Sequence, residues 1–320
     1  MADRIDTVDL QEGQIIQRAD EAKGVSVTVN GRAGWKTRRV ESASIGAGAP
    51  LLKPDAWSLL DANVRFGRFH GTVNVVPGWN ELYLRTAGDS GWYAHPLRIG
   101  VGEVFLVAGQ SNASGKGLSL SIAGPDVRLG EVDSSGGITW KSGSDPQVPG
   151  GGGSVWPEVG NRLTRRLGVP VAFVNVAVEA SFIADWRPGS ANYERLKKAL
   201  LALGPASARA ILWHQGESDA GTSEAEYYAG LKRLITSLAE ETHRPVRWMV
   251  ATASFDGSQQ HSQVRVAQRR ICADGFASQG PDTDVLGPDQ RDRSRVHFNT
   301  QGTSAAAALW DQAIAKELLR

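Results

Sequence analysis

The chain has 320 residues, enough for one large domain or two smaller ones, each able to bury a core. Lysine and arginine total 35 against 34 acids, a formal charge of +1, so there is neither a basic surplus to hold nucleic acid nor an acidic tail. One cysteine, Cys272, excludes an internal disulfide framework and a cysteine-rich zinc site, and no apolar run reaches the ~18–20 residues of a membrane-spanning helix.

The opening Met1-Ala-Asp-Arg-Ile-Asp6 lacks the charged-then-apolar pattern of a signal peptide. The expectation is a protein that acts in the cytoplasm where it is made, or a secreted or surface protein whose chain here begins after a removed segment. Residues 1–100 read as short strands. Val25-Ser-Val-Thr-Val29 alternates, and Asn30-Gly31 predicts a hairpin turn. Gly67–Val75, a turn at Pro77-Gly78, Asn80–Arg85, a turn at Gly88-Asp-Ser-Gly91 and His95–Ile99 continue the pattern. Strands at this spacing predict a small β-sandwich-like accessory domain over 1–100, which can buttress its neighbour, bind polysaccharide or mediate assembly.

From Val101 the pattern changes to apolar strands alternating with amphipathic helices. The strands are expected at Val104–Ala108, Val171–Val178, Ala210–Trp213, Val246–Ala253 and Asp284–Leu286. The helices are expected at Trp156–Leu167, Tyr193–Leu203, Glu224–Thr242, about Gln259–Ala273 and about Thr300–Leu319. This alternation predicts an α/β catalytic domain over 101–320, with a parallel sheet covered on both faces. Ligands of such sheets bind outside the carboxyl ends of the strands. Residues 114–153, rich in glycine, serine and proline, fit neither pattern and read as a long insertion that shapes the cleft or runs over the surface.

Three segments carry chemistry. Gly109-Gln110-Ser111-Asn112 follows the first strand of the α/β part and presents a serine on a tight turn. Serine needs a base within hydrogen-bond reach, and the base needs an orienting group. Val296-His297-Phe298 supplies a histidine before the last helix. Trp213-His214-Gln215-Gly216-Glu217-Ser218-Asp219 packs an amide donor and acids into one turn after a strand. Gln215 can donate to a developing oxyanion, and Glu217 can orient His297. Asp219 reads instead as part of a helix N-terminus. His214, Glu217, Asp219 and His297 show no metal-ligand spacing, so no metal is expected. The ten tryptophans are expected mostly in cores, with some lining a sugar-binding cleft.

In combination these three blocks resemble the signatures of the SGNH hydrolase superfamily, in its sialate O-acetylesterase-like, carbohydrate acetylesterase branch. Ser154-Val-Trp-Pro157 and Asn175-Val-Ala-Val178 leading to Ile183-Ala-Asp-Trp186 agree. The resemblance covers about 101–320. It implies a flavodoxin-like three-layer α/β/α fold and cofactor-free ester hydrolysis on an acetylated sugar or polysaccharide. Ser111 is then the nucleophile and His297 the base. The oxyanion is held by the Ser111 N–H, the N–H near Ala180 and the Gln215 amide. Gln110, Asn112, Trp156, Trp186 and His214 are expected against the substrate. Two departures stand out. Glu179-Ala180-Ser181 occupies the place of the superfamily's glycine pair, and Ser294 stands where an aspartate commonly precedes the histidine by three. The orienting acid is therefore Glu217 first, Asp292 second, with a Ser–His dyad third. Two further readings stay open: a carbohydrate-binding or structural module that has lost turnover, and a lipase or thioesterase.

Overall fold

A computed structural model describes residues 4–19, 24–46, 48–49, 56–87, 96–147, 149–204 and 207–319. The chain divides into two compact units, Met1–Glu103 with Gly168–Pro170, and Val104–Leu167 with Val171–Arg320.

The first unit is all β. Strands β1 (Ile5–Val8), β3 (Val25–Ala33) and β6 (Arg68–Val75) form one antiparallel sheet. Strands β2 (Ile15–Gln17), β4 (Val40–Gly46), β5 (Ser58–Asp61), β7 (Gly78–Thr86) and the first half of β8 (Leu97–Gly109) form a second, in the order β5-β4-β7-β8-β2. The alternation seen in the sequence places Val27, Val29, Phe69 and Val73 of one sheet in a common core with Val40, Leu82, Leu84 and Ile99 of the other. The expected turn at Asn30-Gly31 is not there: β3 runs straight through both residues. Gly31 serves a close approach instead, since a Cβ on it would sit 2.2 Å from the Phe69 ring and 2.3 Å from the Thr7 carbonyl. The turn expected at 88–91 lies outside the described residues.

The second unit is a three-layer α/β/α sandwich. Its sheet has the order β10-β9-β11-β8-β12-β13-β14, where β9 is Val127–Val132, β10 Ile138–Ser142, β11 Val171–Asn175, β12 Ala210–His214, β13 Trp248–Thr252 and β14 Ser278–Asp282. The β11–β9, β8–β12, β12–β13 and β13–β14 pairs are parallel, and β10 is antiparallel to β9. Helices α2 (Trp156–Leu167) and α6 (Thr300–Leu318) cover the face that presents Phe105 and Val107 of β8. Helices α3 (Ala191–Ala202), α4 (Glu224–Thr242) and α5 (Ser262–Ala273) cover the face that presents Leu106 and Ala108. Each large apolar side chain so buried contributes roughly 1.5–3 kcal/mol.

Two expectations are corrected in this unit. Residues 114–153 are not a structureless insertion, because β9 and β10 extend the sheet by a hairpin closed where Asp133 N–H donates to the Gly137 carbonyl. Asp284–Leu286 is not a strand. The last strand is β14, and Thr283–Val285 forms a 3₁₀ turn whose Asp284 carboxylate accepts from Ser254 N–H, Phe255 N–H and Arg265. Among the described residues no helix is long and apolar enough to cross a membrane.

Candidate active site

The chain passes from β8 to β9 on one side of the sheet and from β11 to β12 on the other, so the order reverses around β8. The carboxyl ends of β8, β11 and β12 therefore lie side by side, and all three key loops leave from them. Gly109 closes β8 with φ +130, and a Cβ there would lie 2.0 Å from the His214 carbonyl. This close approach locks the first loop to the third. Gln110 is extended, and Ser111 opens α1 (Ser111–Ser114), a single turn ended by Gly115 in the left-handed region.

The side chain of Gln110 explains how the loops stay together. Its Oε1 accepts from Gly216 N–H (3.2 Å), Ser218 N–H (3.1 Å) and Gln215 Nε2 (3.2 Å). Its own Nε2 makes no hydrogen bond among the described residues. Asn112 ties three segments in the same way, donating from Nδ2 to Glu217 Oε1 (2.9 Å) and to the Val296 carbonyl (3.2 Å). Arg291, a residue that sequence reasoning passed over, donates to the same carbonyl (2.6 Å) and to the Leu286 and Thr283 carbonyls. Its guanidinium also lies 4.5 Å from the Phe298 ring centre. Arg291 and Asn112 thus fix the backbone just before His297, and Arg291 lies over the ring just after it. An arginine among arginines (Arg291, Arg293, Arg295) carried no signal of this in the sequence.

Ser111 is nearly buried, and its Oγ has no hydrogen-bond partner among the described residues. The His297 ring has none either, so the structure brings the Ser111 and His297 segments together without a direct bond between the side chains. Neither candidate acid is hydrogen-bonded to the ring. Asp292 Oδ1 is engaged by Ser294 N–H (2.8 Å) and Ser294 Oγ (2.5 Å), while Asp292 N–H donates to the His297 carbonyl. Ser294, an apparent departure, thus shapes the histidine loop. Glu217 is buried, holds Asn112 with Oε1 and leaves Oε2 without a partner. Burial raises its carboxyl above the ordinary value.

Ala180 adopts φ +53, the left-handed conformation that a glycine would take without strain. It is exposed, and its N–H has no partner among the described residues. Glu179 turns away to Lys116, with 2.6 Å between Nζ and Oε2. An open cleft of about 400 Å³ adjoins Ala180, lined by Glu179, Ser181, Asp185, Arg187 and Asn192 among others.

Several sequence assignments are corrected by this geometry. Gln215 is not an oxyanion donor: its Nε2 is committed to Asp219 Oδ2 (2.5 Å) and the Ser181 carbonyl (3.0 Å), and its Oε1 accepts from the Tyr227 hydroxyl (2.8 Å). Asp219 is no simple helix cap, for its Oδ2 also accepts from Ile183 N–H. Trp156 and Trp186 do not line a cleft. Both are fully buried, Trp156 against Trp310 and Phe173 with Nε1 on the Ala113 carbonyl, and Trp186 edge-on to Trp213 with Nε1 on Ser181 Oγ. Asn112 is buried, with Nδ2 spent on Glu217 and Val296 and Oδ1 without a partner among the described residues, so its donors organise the loops. His214 is also fully buried, with Nε2 3.0 Å from Thr283 Oγ1. Desolvation, aided by Arg291, pushes its pKa down to about 3, so the ring is neutral. Among the described residues no group of three or more His, Cys, Asp or Glu side chains is placed to hold a metal ion.

A family model described as "Carbohydrate esterase, sialic acid-specific acetylesterase" matches residues 155–316. A carbohydrate acetylesterase from Xanthomonas citri superposes with a TM-score of 0.62 at 19% identity, over 97% of this chain and 74% of its own. A protein from Arabidopsis thaliana superposes with a TM-score of 0.56 at 20% identity, over 68% of this chain and 98% of its own. At these identities the likenesses establish the fold, which is of the SGNH hydrolase type with an added N-terminal β region. No curated protein matches the chain by sequence.

Proposed function

The chain belongs to the sialic acid-specific acetylesterase family of carbohydrate esterases, a family of ester hydrolases, and from that premise we propose that it removes O-acetyl groups from a carbohydrate through an acyl-serine intermediate. The observation that carries this reading is the meeting of three loops at the ends of β8, β11 and β12. Ser111 Oγ stands there free of internal bonds, beside two unspent backbone donors, the Ser111 N–H at the start of α1 and the Ala180 N–H.

In the proposed reaction Ser111 Oγ attacks the acetyl carbonyl carbon while His297 takes the hydroxyl proton. The carbonyl oxygen becomes an oxyanion, held by the Ser111 and Ala180 N–H groups. The bond to the sugar oxygen breaks, and that oxygen takes the proton from His297. A water molecule then attacks the acyl-serine, His297 takes its proton, and acetate leaves as the proton returns to Ser111 Oγ. Glu217 ranks first as the group that orients His297, because one buried oxygen is unspent. Asp292 ranks second, because Ser294 occupies one of its oxygens. The Gln110 Nε2 amide, unused inside the protein, is a donor to the substrate, and the cleft beside Ala180 is the place for the sugar. The hydrogen bond from the Ser111 hydroxyl to His297 forms on the substrate-bound enzyme, as catalytic bonds that are loose in free enzymes commonly do.

The test is hydrolysis of p-nitrophenyl acetate and of acetylated oligosaccharides by the protein and by Ser111→Ala. The variant is expected to fold normally and to lose about four orders of magnitude or more in kcat. A serine-directed phosphonate is expected to label Ser111 alone. Labelling at Ser181 or Ser218 would overturn the assignment, and a fully folded protein with no turnover on any acetyl ester would favour a binding module on the same fold.

A further inference from the structure

We propose that the first unit carries a binding site for an acidic polysaccharide, on the open face of the β1-β3-β6 sheet. The register of β3 and β6 sets Ser26 opposite Asn74, Thr28 opposite Thr72, Asn30 opposite His70 and Arg32 opposite Arg68. All eight side chains lie on the exposed face, while Val27, Val29, Phe69 and Val73 fill the core on the other. Thr7 of β1 stands beside Arg32 in the same face.

A polar outer face alone is ordinary. The pairing of Arg32 with Arg68 is not, because like charges directly opposite each other on neighbouring strands repel. Neither is in an ion pair among the described residues: the two carboxylates that line the same cleft keep their charge but are held by uncharged donors. Asp9 gives both carboxylate oxygens to Asn30, at 2.9 Å to its N–H and 2.7 Å to Nδ2. Asp61 gives its oxygens to Asn63 N–H (2.7 Å) and His70 N–H (2.9 Å). Arg65, which reaches only Asn63 Oδ1 at 3.4 Å, completes a set of three guanidinium groups around one cleft of about 760 Å³. The whole chain is nearly neutral, so this cationic spot is local. A planar guanidinium is suited to take a carboxylate by two parallel bonds.

The second observation is aromatic. Phe66 is 98% exposed at the tip of the hairpin whose Arg65 and Arg68 backbones bond each other. It adopts φ +52, a conformation that suits Asn, Asp or Gly in such a turn. A large apolar ring is unfavourable there on both counts, backbone and solvation, unless something covers it. Trp35, 70% exposed, follows close by, with its Cα about 4.0 Å from where Gly67 would carry a side chain. Sugar rings present apolar C–H faces and hydroxyl edges. Phe66 and Trp35 fit the faces, Thr28, Thr72 and the Nε2 edge of His70, whose Nδ1 is held by Asn30 Oδ1, the hydroxyls, and the arginines the carboxylates of uronic acid units. The hydroxyl- and amide-bearing side chains between the arginines favour a glycan over a nucleic acid, whose phosphates call for a longer basic track.

Native affinity electrophoresis of the full chain in gels containing unacetylated polygalacturonate tests this, with mobility read relative to polymer-free gels. The polymer carries no ester, so the result is independent of the proposed catalysis. Retardation is expected in polygalacturonate and not in dextran or with single-stranded DNA. Arg32→Gln with Arg68→Gln is expected to weaken it at least tenfold, and Phe66→Asn, which suits the turn, several-fold. The first thermal transition of both variants should stay where the parent has it, showing that the first unit is folded, and their hydrolysis of p-nitrophenyl acetate should equal that of the parent. Absence of retardation, equal retardation by DNA or dextran, or retardation unchanged in the variants would each overturn the proposal.

Discussion

Glu217 holds one oxygen on Asn112 and keeps the other buried and unbonded, the least comfortable state for a carboxylate in the second unit. Burial raises its pKa in the folded chain above the unfolded value of about 4.3. A carboxyl raised in this way contributes stability that is fully present below the unfolded value and is lost as pH rises through the folded one. Glu217→Gln copies the neutral form and still accepts from Asn112. Thermal unfolding of variant and parent should therefore nearly coincide around pH 4, with the variant melting higher at pH 8. If Glu217 also orients His297, the same change should cost up to roughly 10⁴ in kcat, while Asp292→Asn is the milder of the two. Stability gained with activity lost would mark a site that keeps an unfavourable charge for function. A crippling Asp292→Asn with a nearly silent Glu217→Gln would hand the role to Asp292 instead.

At the scale of elements, the loop Gln215–Asp219 is built as a plug of hydrogen bonds more than as a row of catalytic groups. Gln215→Ala would leave Asp219 Oδ2, the Ser181 carbonyl and the Tyr227 hydroxyl each short of a partner in a site without solvent. Such buried losses cost about 1–3 kcal/mol apiece. The expectation is a loss of several kcal/mol in urea unfolding; a drop in kcat at unchanged stability would return Gln215 to the oxyanion. Two of the three sequence blocks were legible because they are rare residue combinations placed after apolar strands, and the third because its histidine stands just before the last helix. What they do was less so. The partner that spends the Gln215 amide oxygen, Tyr227, sits on α4, and sequence proximity to a glutamine gives no hint of it. Trp156 and Trp186 stand in conspicuous motifs, yet residue type alone does not say whether an indole faces a cleft or a core. The β9–β10 hairpin was hidden because its strands are short and its turn, Asp133 to Gly137, looks like loop composition. At Asn30-Gly31 the reverse happened: a turn signal was outweighed by eight residue pairs of β3–β6 register and by the Phe69 ring that needs the missing side chain.

At the scale of the whole molecule, β8 starts in one compact unit and ends in the other, and Glu103 is the last residue of the first. Its carboxylate is fully buried and accepts from Arg18 Nε (2.6 Å) and Gln17 Nε2 (3.0 Å). A buried pair adds little net stability, but removing one partner strands the other and costs about 3–5 kcal/mol. Glu103→Ala takes the buried acceptor from Arg18 Nε and Gln17 Nε2 within the first unit, whose apolar core is one shared cluster. The second unit has its own two cores, one on each face of its sheet. Calorimetry of the variant should therefore show a low-temperature transition that moves down while a second stays in place, since a chain with two cores need not melt in one step. Turnover of p-nitrophenyl acetate measured below the first transition should be unchanged, and measured between the two it should persist. If activity disappears together with the first transition, the accessory unit is required for the α/β unit to hold its site, and buttressing is then its function in catalysis whatever else it binds.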